Sequence, residues 1–219
     1  MSNELMKYVK KMSAKSMRLY YILLAAAILM LVVLMFCDEE KVYFLGTSAF
    51  VAAASFILYC TEHSRRKSAR KEIEVWFEQQ SGETKGRLLE ELKAVPKRQW
   101  KRGFAATPEI TFYADAHGVH GVPTDTILWV YEKIDTYFPI FRYYTFVMCT
   151  MEGRRHNWEI GMNPVWSETL RGMALDAEFQ LRELYPGIIS GYTRDMVQMY
   201  LRDRNAMKER YAERQNGGA

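Results

Sequence analysis

Two stretches without a single charge, only four residues apart, constrain this chain more than any other feature. Residues 19 to 37 read LYYILLAAAILMLVVLMFC, and residues 42 to 60 read VYFLGTSAFVAAASFILYC. As helices each would rise about 29 Å, close to the ~30 Å hydrocarbon thickness of a bilayer. Asp38, Glu39, Glu40 and Lys41 between them are too few to recross a membrane. The pattern predicts an antiparallel transmembrane hairpin with spans 19–37 and 42–60. A cleaved signal peptide fits poorly, because the apolar core is long and a second block follows at once.

Lysine and arginine set the expected orientation. Lys7, Lys10, Lys11, Lys15 and Arg18 precede the first block, and Arg65, Arg66, Lys67, Arg70 and Lys71 follow the second. Positive flanks stay inside. The expectation is a multi-pass protein of the cell membrane, with both termini cytoplasmic and residues 1–18 as a basic N-terminal segment. Gly46, Ala49 and Ala53 make one side of the second block small, which suits close helix packing or self-association. No charge falls within either block, so ion transport is poorly supported. Cys37, Cys60 and Cys149 show no CxxC or Cys/His ligand spacing, so neither a disulfide framework nor zinc is indicated.

The remainder reads as a helical connector followed by a small domain. Residues 61–96 are charged and helix-friendly, with a break at Ser81-Gly82 and a stop at Pro96. From 97 the texture turns to strands: EITFYAD at 109–115, residues 118–122, TILWVYEKIDTY at 126–137, FRYYTFVMCT at 141–150 and RRHNWEIG at 154–161. Residues 98 to 105 are a further strand candidate. Glu152-Gly153 reads as a hairpin turn. Asn163-Pro164 reads as the start of a helix whose apolar face is Leu170, Met173, Ala174, Ala177, Leu181 and Leu184. Thr193 caps a last helix, and the charged residues 202–219 are expected to fray.

The segments EITFYAD, ILWVYEKIDTYF at 127–138, RYYTFVM at 142–148 and YPGIISGYT at 185–193 resemble bacterial membrane-anchored pleckstrin-homology-like (PH-like) domain proteins of unknown function. The resemblance implies an α+β chain: the transmembrane hairpin, then a small antiparallel PH-like β-sheet or half-barrel over 97–201 with C-terminal helices. It implies a scaffold role and brings no activity, cofactor or agreed ligand.

Candidate chemistry is thin. Asp115, His117, His120 and Asp125 are metal-ligand types, but they surround a single strand-turn-strand, and ordinary turn roles account for them better. His156 and Glu159 fall on opposite faces of a strand. No GxSxG, HExxH, P-loop or GxGxxG motif occurs. The expectation is a non-enzyme with no metal and no cofactor. Lys97, Arg98, Lys101 and Arg102 interleave with Trp100, and Arg65, Arg66, Lys67, Arg70 and Lys71 lie just after the second block. These residues are the candidate surface for anionic lipid headgroups or a protein partner. A net charge of +4 with interspersed acids does not suggest nucleic acid, and nothing suggests a small-molecule substrate.

The leading expectation is therefore a non-enzymatic, membrane-tethered interaction module whose partners are the lipid bilayer, its anionic headgroups, a protein or a second copy. The alternatives are an accessory subunit of a larger membrane complex joined through the hairpin, and a membrane-bound metal-dependent enzyme using the His/Asp cluster.

Overall fold

A computed structural model describes residues 2–13, 25, 28, 32, 41–115, 118–137 and 140–217. Helix α1 (Ser2–Ser13) is followed by α2 (Lys41–Gln79), α3 (Gly82–Ala94) and the short α4 (Lys97–Arg102). Ser81 caps α3 by accepting from the Thr84 amide. Gly103 ends α4 in the left-handed region and turns the chain into β1 (Phe104–Ala106). Strands β2 (Ile110–Asp115) and β3 (Gly118–Pro123) complete a three-stranded antiparallel sheet in the order β1-β2-β3.

A second sheet has the order β6-β5-β4-β7. It comprises β4 (Ile127–Tyr137), β5 (Phe141–Thr150) and β6 (Arg155–Pro164) as an antiparallel meander. The two-residue β7 (Ile189–Ser190) runs parallel to β4. Helix α5 (Thr169–Leu184) lies between β6 and β7, and α6 (Arg194–Arg202) and α7 (Arg204–Gly217) end the chain. The result is an α+β chain built on antiparallel sheets.

Three apolar clusters explain the layering. The first joins Leu5 and Val9 of α1, Ile73 and Phe77 of α2 and Leu88 and Leu92 of α3 to Ile110, Phe112 and Val119 on one face of the first sheet. The second fills the space between the sheets and under α5, with Phe104, Tyr113, Val130, Phe146, Trp158 and Leu181. The third covers the outer face of the second sheet: Trp129, Tyr131 and Val147 meet Tyr200 of α6 and Met207 of α7. Where the sheets are covered on both faces, Ile127 to Tyr131 of β4 and Tyr144 to Thr150 of β5 are buried almost without alternation.

Trp158 fastens the two sheets together. Its ring stacks on Phe104 at 4.9 Å, and its indole N–H donates to the Ala114 carbonyl at 3.1 Å. One side chain of β6 thus holds both β1 and β2.

The transmembrane hairpin is overturned, and with it the multi-pass membrane location with both termini cytoplasmic. Among the described residues, no helix is long and apolar enough to cross a membrane. Of the first block only Ala25, Ile28 and Val32 are described; the rest lies outside the described residues. The second block is not a separate element. It forms the first half of the 39-residue α2, which runs unbroken into the charged stretch containing Arg65 to Lys71. The block is also diluted by Gly46, Thr47, Ser48, Ser55 and four alanines, which contribute little apolar surface. Freedom from charge is a weaker criterion than apolar bulk.

Three smaller expectations also change. Residues 98 to 105 are mostly the helix α4. Asn163 and Pro164 end β6, paired with Arg142 and Phe141, and α5 begins at Thr169. Residues 204 to 217 form α7, anchored by the buried Met207.

Trp158→Ala is expected to destabilise the chain by about 3–5 kcal/mol, the usual cost of emptying a large aromatic site. The check is urea unfolding followed by fluorescence. A loss below about 1 kcal/mol would mean that the sheets do not depend on this residue.

Candidate functional site

Strand β3 is an edge strand, and among the described residues no strand pairs with its outer side. Along that edge runs a cleft of ≈ 360 Å³. One wall is α2, through Glu72, Ile73 and Trp76. The floor is Ile110, Val122 and Pro123, and the far rim is Glu152, Arg154 and His156 from the β5–β6 hairpin. Glycine permits this approach: a Cβ on Gly121 would stand 2.8 Å from Ile110 Cδ1 and 3.3 Å from Ile73 Cγ1.

His120 and His156 line the cleft, and register joins them to Tyr113 and Asp115 beside it. Tyr113 pairs with His120 across β2 and β3, so both side chains share one face. Their rings stack at 5.0 Å, and His156 meets Tyr113 edge-on at 6.5 Å. His120 Nε2 lies 3.3 Å from Asp115 Oδ1, and the Gly118 amide donates to the same oxygen at 3.1 Å. Asp115, His120, Tyr113 and His156 are thus linked into one group by pairwise contacts.

Burial holds the His156 imidazole below the ordinary histidine range, with the nearby His120 and Arg154 adding to the shift. Burial also pushes the Tyr113 hydroxyl upward, helped by Asp115 and Glu72. Tyr113 therefore stays neutral. Two hydroxyls line the cleft, but both are already committed. Thr126 donates to the Pro123 carbonyl at 2.7 Å, and Thr150 is held against Arg154. The buried Cys149 thiol is pushed up to about 12 by burial, so it remains a thiol and not a nucleophile. No imidazole of the group has a hydroxyl or thiol hydrogen-bonded to it among the described residues.

Of the metal-ligand types read from the sequence, Asp115 and His120 come together. Asp125 is exposed in the 3₁₀ turn, and His117 lies outside the described residues. Among the described residues, no group of three or more His, Cys, Asp or Glu side chains is placed to hold a metal.

The basic residues separate into packing and surface groups. Arg66 is buried, with Gly118 lying against its stem, and Arg70 is half-buried. Trp100 is buried against Tyr8 and Phe112. Arg102 is paired with Asp176 of α5. Arg65, Lys67 and Lys71 on α2, and Lys97, Arg98 and Lys101 on α4, are exposed. None of these residues lines the cleft. Gly46, Ala49 and Ala53 lie on the first half of α2, away from the residues of that helix that form the cleft wall.

Tyr113, Glu72, Trp76 and Arg154 were not apparent as site residues from the sequence. Each has an ordinary structural reading in its own segment, and only the tertiary fold brings the segments together. No protein-family model, curated protein or solved structure matches the chain.

The displaced His156 titration carries a signature in stability. Its proton is bound more weakly in the folded chain than in the unfolded one. The penalty is absent above the unfolded value of about 6.5 and grows as pH falls toward the lower folded value. Stability therefore rises with pH across that window. His156→Gln is expected to flatten this part of the slope, measured by urea unfolding between about pH 7.5 and pH 5.5. An unchanged slope would contradict the placement of His156.

Proposed function

We propose that this chain is a non-enzymatic interaction module that takes an extended segment of a partner protein along the free edge of β3. The carrying observation is that, among the described residues, no strand pairs with the outer side of β3, and a walled cleft runs along that edge. An edge strand offers a row of backbone donors and acceptors, and an added strand satisfies them. Backbone pairing would supply affinity. The half-apolar wall of Ile73 and Trp76, with Glu72, His120 and His156, would supply specificity toward side chains of the incoming segment.

The Asp115–His120 pair supports one competing reading, acid–base catalysis by an oriented imidazole. It is the weaker reading, because the hydroxyls nearby are committed to backbone carbonyls and the His120 ring is stacked on Tyr113.

The test is photo-crosslinking in cells with a benzophenone amino acid at Glu152, on the cleft rim, and at Glu209, on the exposed side of α7. A discrete crosslinked partner is expected from position 152 and not from 209, and it is lost when Trp76 is replaced by Glu. Equal crosslinking at both positions, or none at 152, would sink the docking reading. Turnover of a substrate that disappears with His120→Ala would establish the enzyme instead.

A further inference from the structure

Helix α5 buries Ala174, Ala177 and Leu181 and leaves the opposite stripe in solvent. Two large apolar side chains dominate that stripe, Leu175 at 53 % exposure and Phe179 at 62 %. Gly172 lies one turn before Leu175, with open space where a Cβ would stand. Charges flank this apolar centre in an ordered way. Glu168 lies two turns before Leu175, and Arg182 lies two turns after it. All of these positions follow the three- and four-residue steps of a single helix face.

Glu168 and Arg182 stand at equal distances on either side of Leu175, with Arg171 and Glu178 nearer to it. We propose that a second copy of this chain docks on this stripe of α5, antiparallel, with the two-fold axis at Leu175. Turning one helix end for end about that point sets Glu168 against the second copy's Arg182, and Arg182 against its Glu168. Leu175 then meets its own counterpart, and the Phe179 ring faces the second copy's Arg171, a cation–π arrangement. Gly172 leaves room for the approach. A parallel pairing would place each charge against its own kind. An isologous contact of this type is the commonest way for a chain to self-associate.

The present partners of these charges do not hold them firmly. Arg182 stands 3.9 Å from Glu178, and Arg171 stands 3.6 Å from both Glu168 and Glu132. The Arg182–Glu178 and Arg171–Glu168 pairs are long and partly exposed, so they are worth little and can be exchanged for contacts across the axis, whereas Arg171 keeps its contact with the mostly buried Glu132. The stripe from Glu168 to Arg182 is about 21 Å long. A single helix face of that length buries less than the roughly 800 Å² per partner of a standard interface. The dimer is therefore reversible and concentration-dependent. It is independent of the β3 cleft and leaves that edge open.

Sedimentation velocity of the full chain over a wide concentration range tests this. The wild type is expected to pass from one chain to two. Leu175→Asp should weaken the dimer at least about tenfold. Glu168→Arg and Arg182→Glu should each weaken it, and the double variant should recover most of the loss. These side chains are exposed, so circular dichroism and melting should match the wild type. A chain that remains monomeric at every concentration would overturn the proposal. So would an assembly that Leu175→Asp leaves unchanged, or a double variant that is no better than the singles.

Discussion

The contact of Ile73 with Gly121 underlies everything functional in this fold. α2 can close on the first sheet only because β3 presents no side chain at that point. The closure buries the second face of a sheet that would otherwise be half exposed. It also places a helix wall beside an unpaired strand edge, and that wall turns an edge into a cleft. Apolar burial of this kind is the main source of stability for such layers, so the site and the fold draw on the same contact.

The chemistry inside the cleft follows from how little of it is free. Asp115 is held by the Gly118 amide and by His120, and His120 by Tyr113. Tyr113 also meets His156 edge-on. Burial keeps His156 short of its proton, which lowers the charge the cleft must accommodate. Such an arrangement positions these groups firmly.

Much of the sheet domain was legible in the sequence, because local rules and tertiary demands agreed there. FRYYTFVMCT gave both ends of β5, the Glu152-Gly153 turn joined β5 to β6, and Ser81 and Thr193 serve as caps. Other places misled where tertiary context prevailed. Asn163-Pro164 has the form of a helix start, yet β6 is an edge strand and tolerates proline at its end. Residues 204 to 217 look too polar to be ordered, but the buried Met207, the packed Tyr211 and the Gly187 amide donating to Gln215 seat them on the fold. The uncharged blocks at 19–37 and 42–60 read as a pair of spans, but the second is the first half of one helix that continues into charged sequence, and most of the first lies outside the described residues. The cleft was invisible because Glu72, His120 and His156 come from three distant segments, and none of these segments forms a motif by itself.

Hydrogen–deuterium exchange of the full chain, read by mass spectrometry, tests the closure of α2 on β3 most directly. The amides around Ile73 to Phe77 are expected to exchange slowly and to open together with β3 and the central strands β4 and β5, as one cooperative unit. Fast exchange in that part of α2 while the sheets stay protected would show that the helix does not hold the cleft.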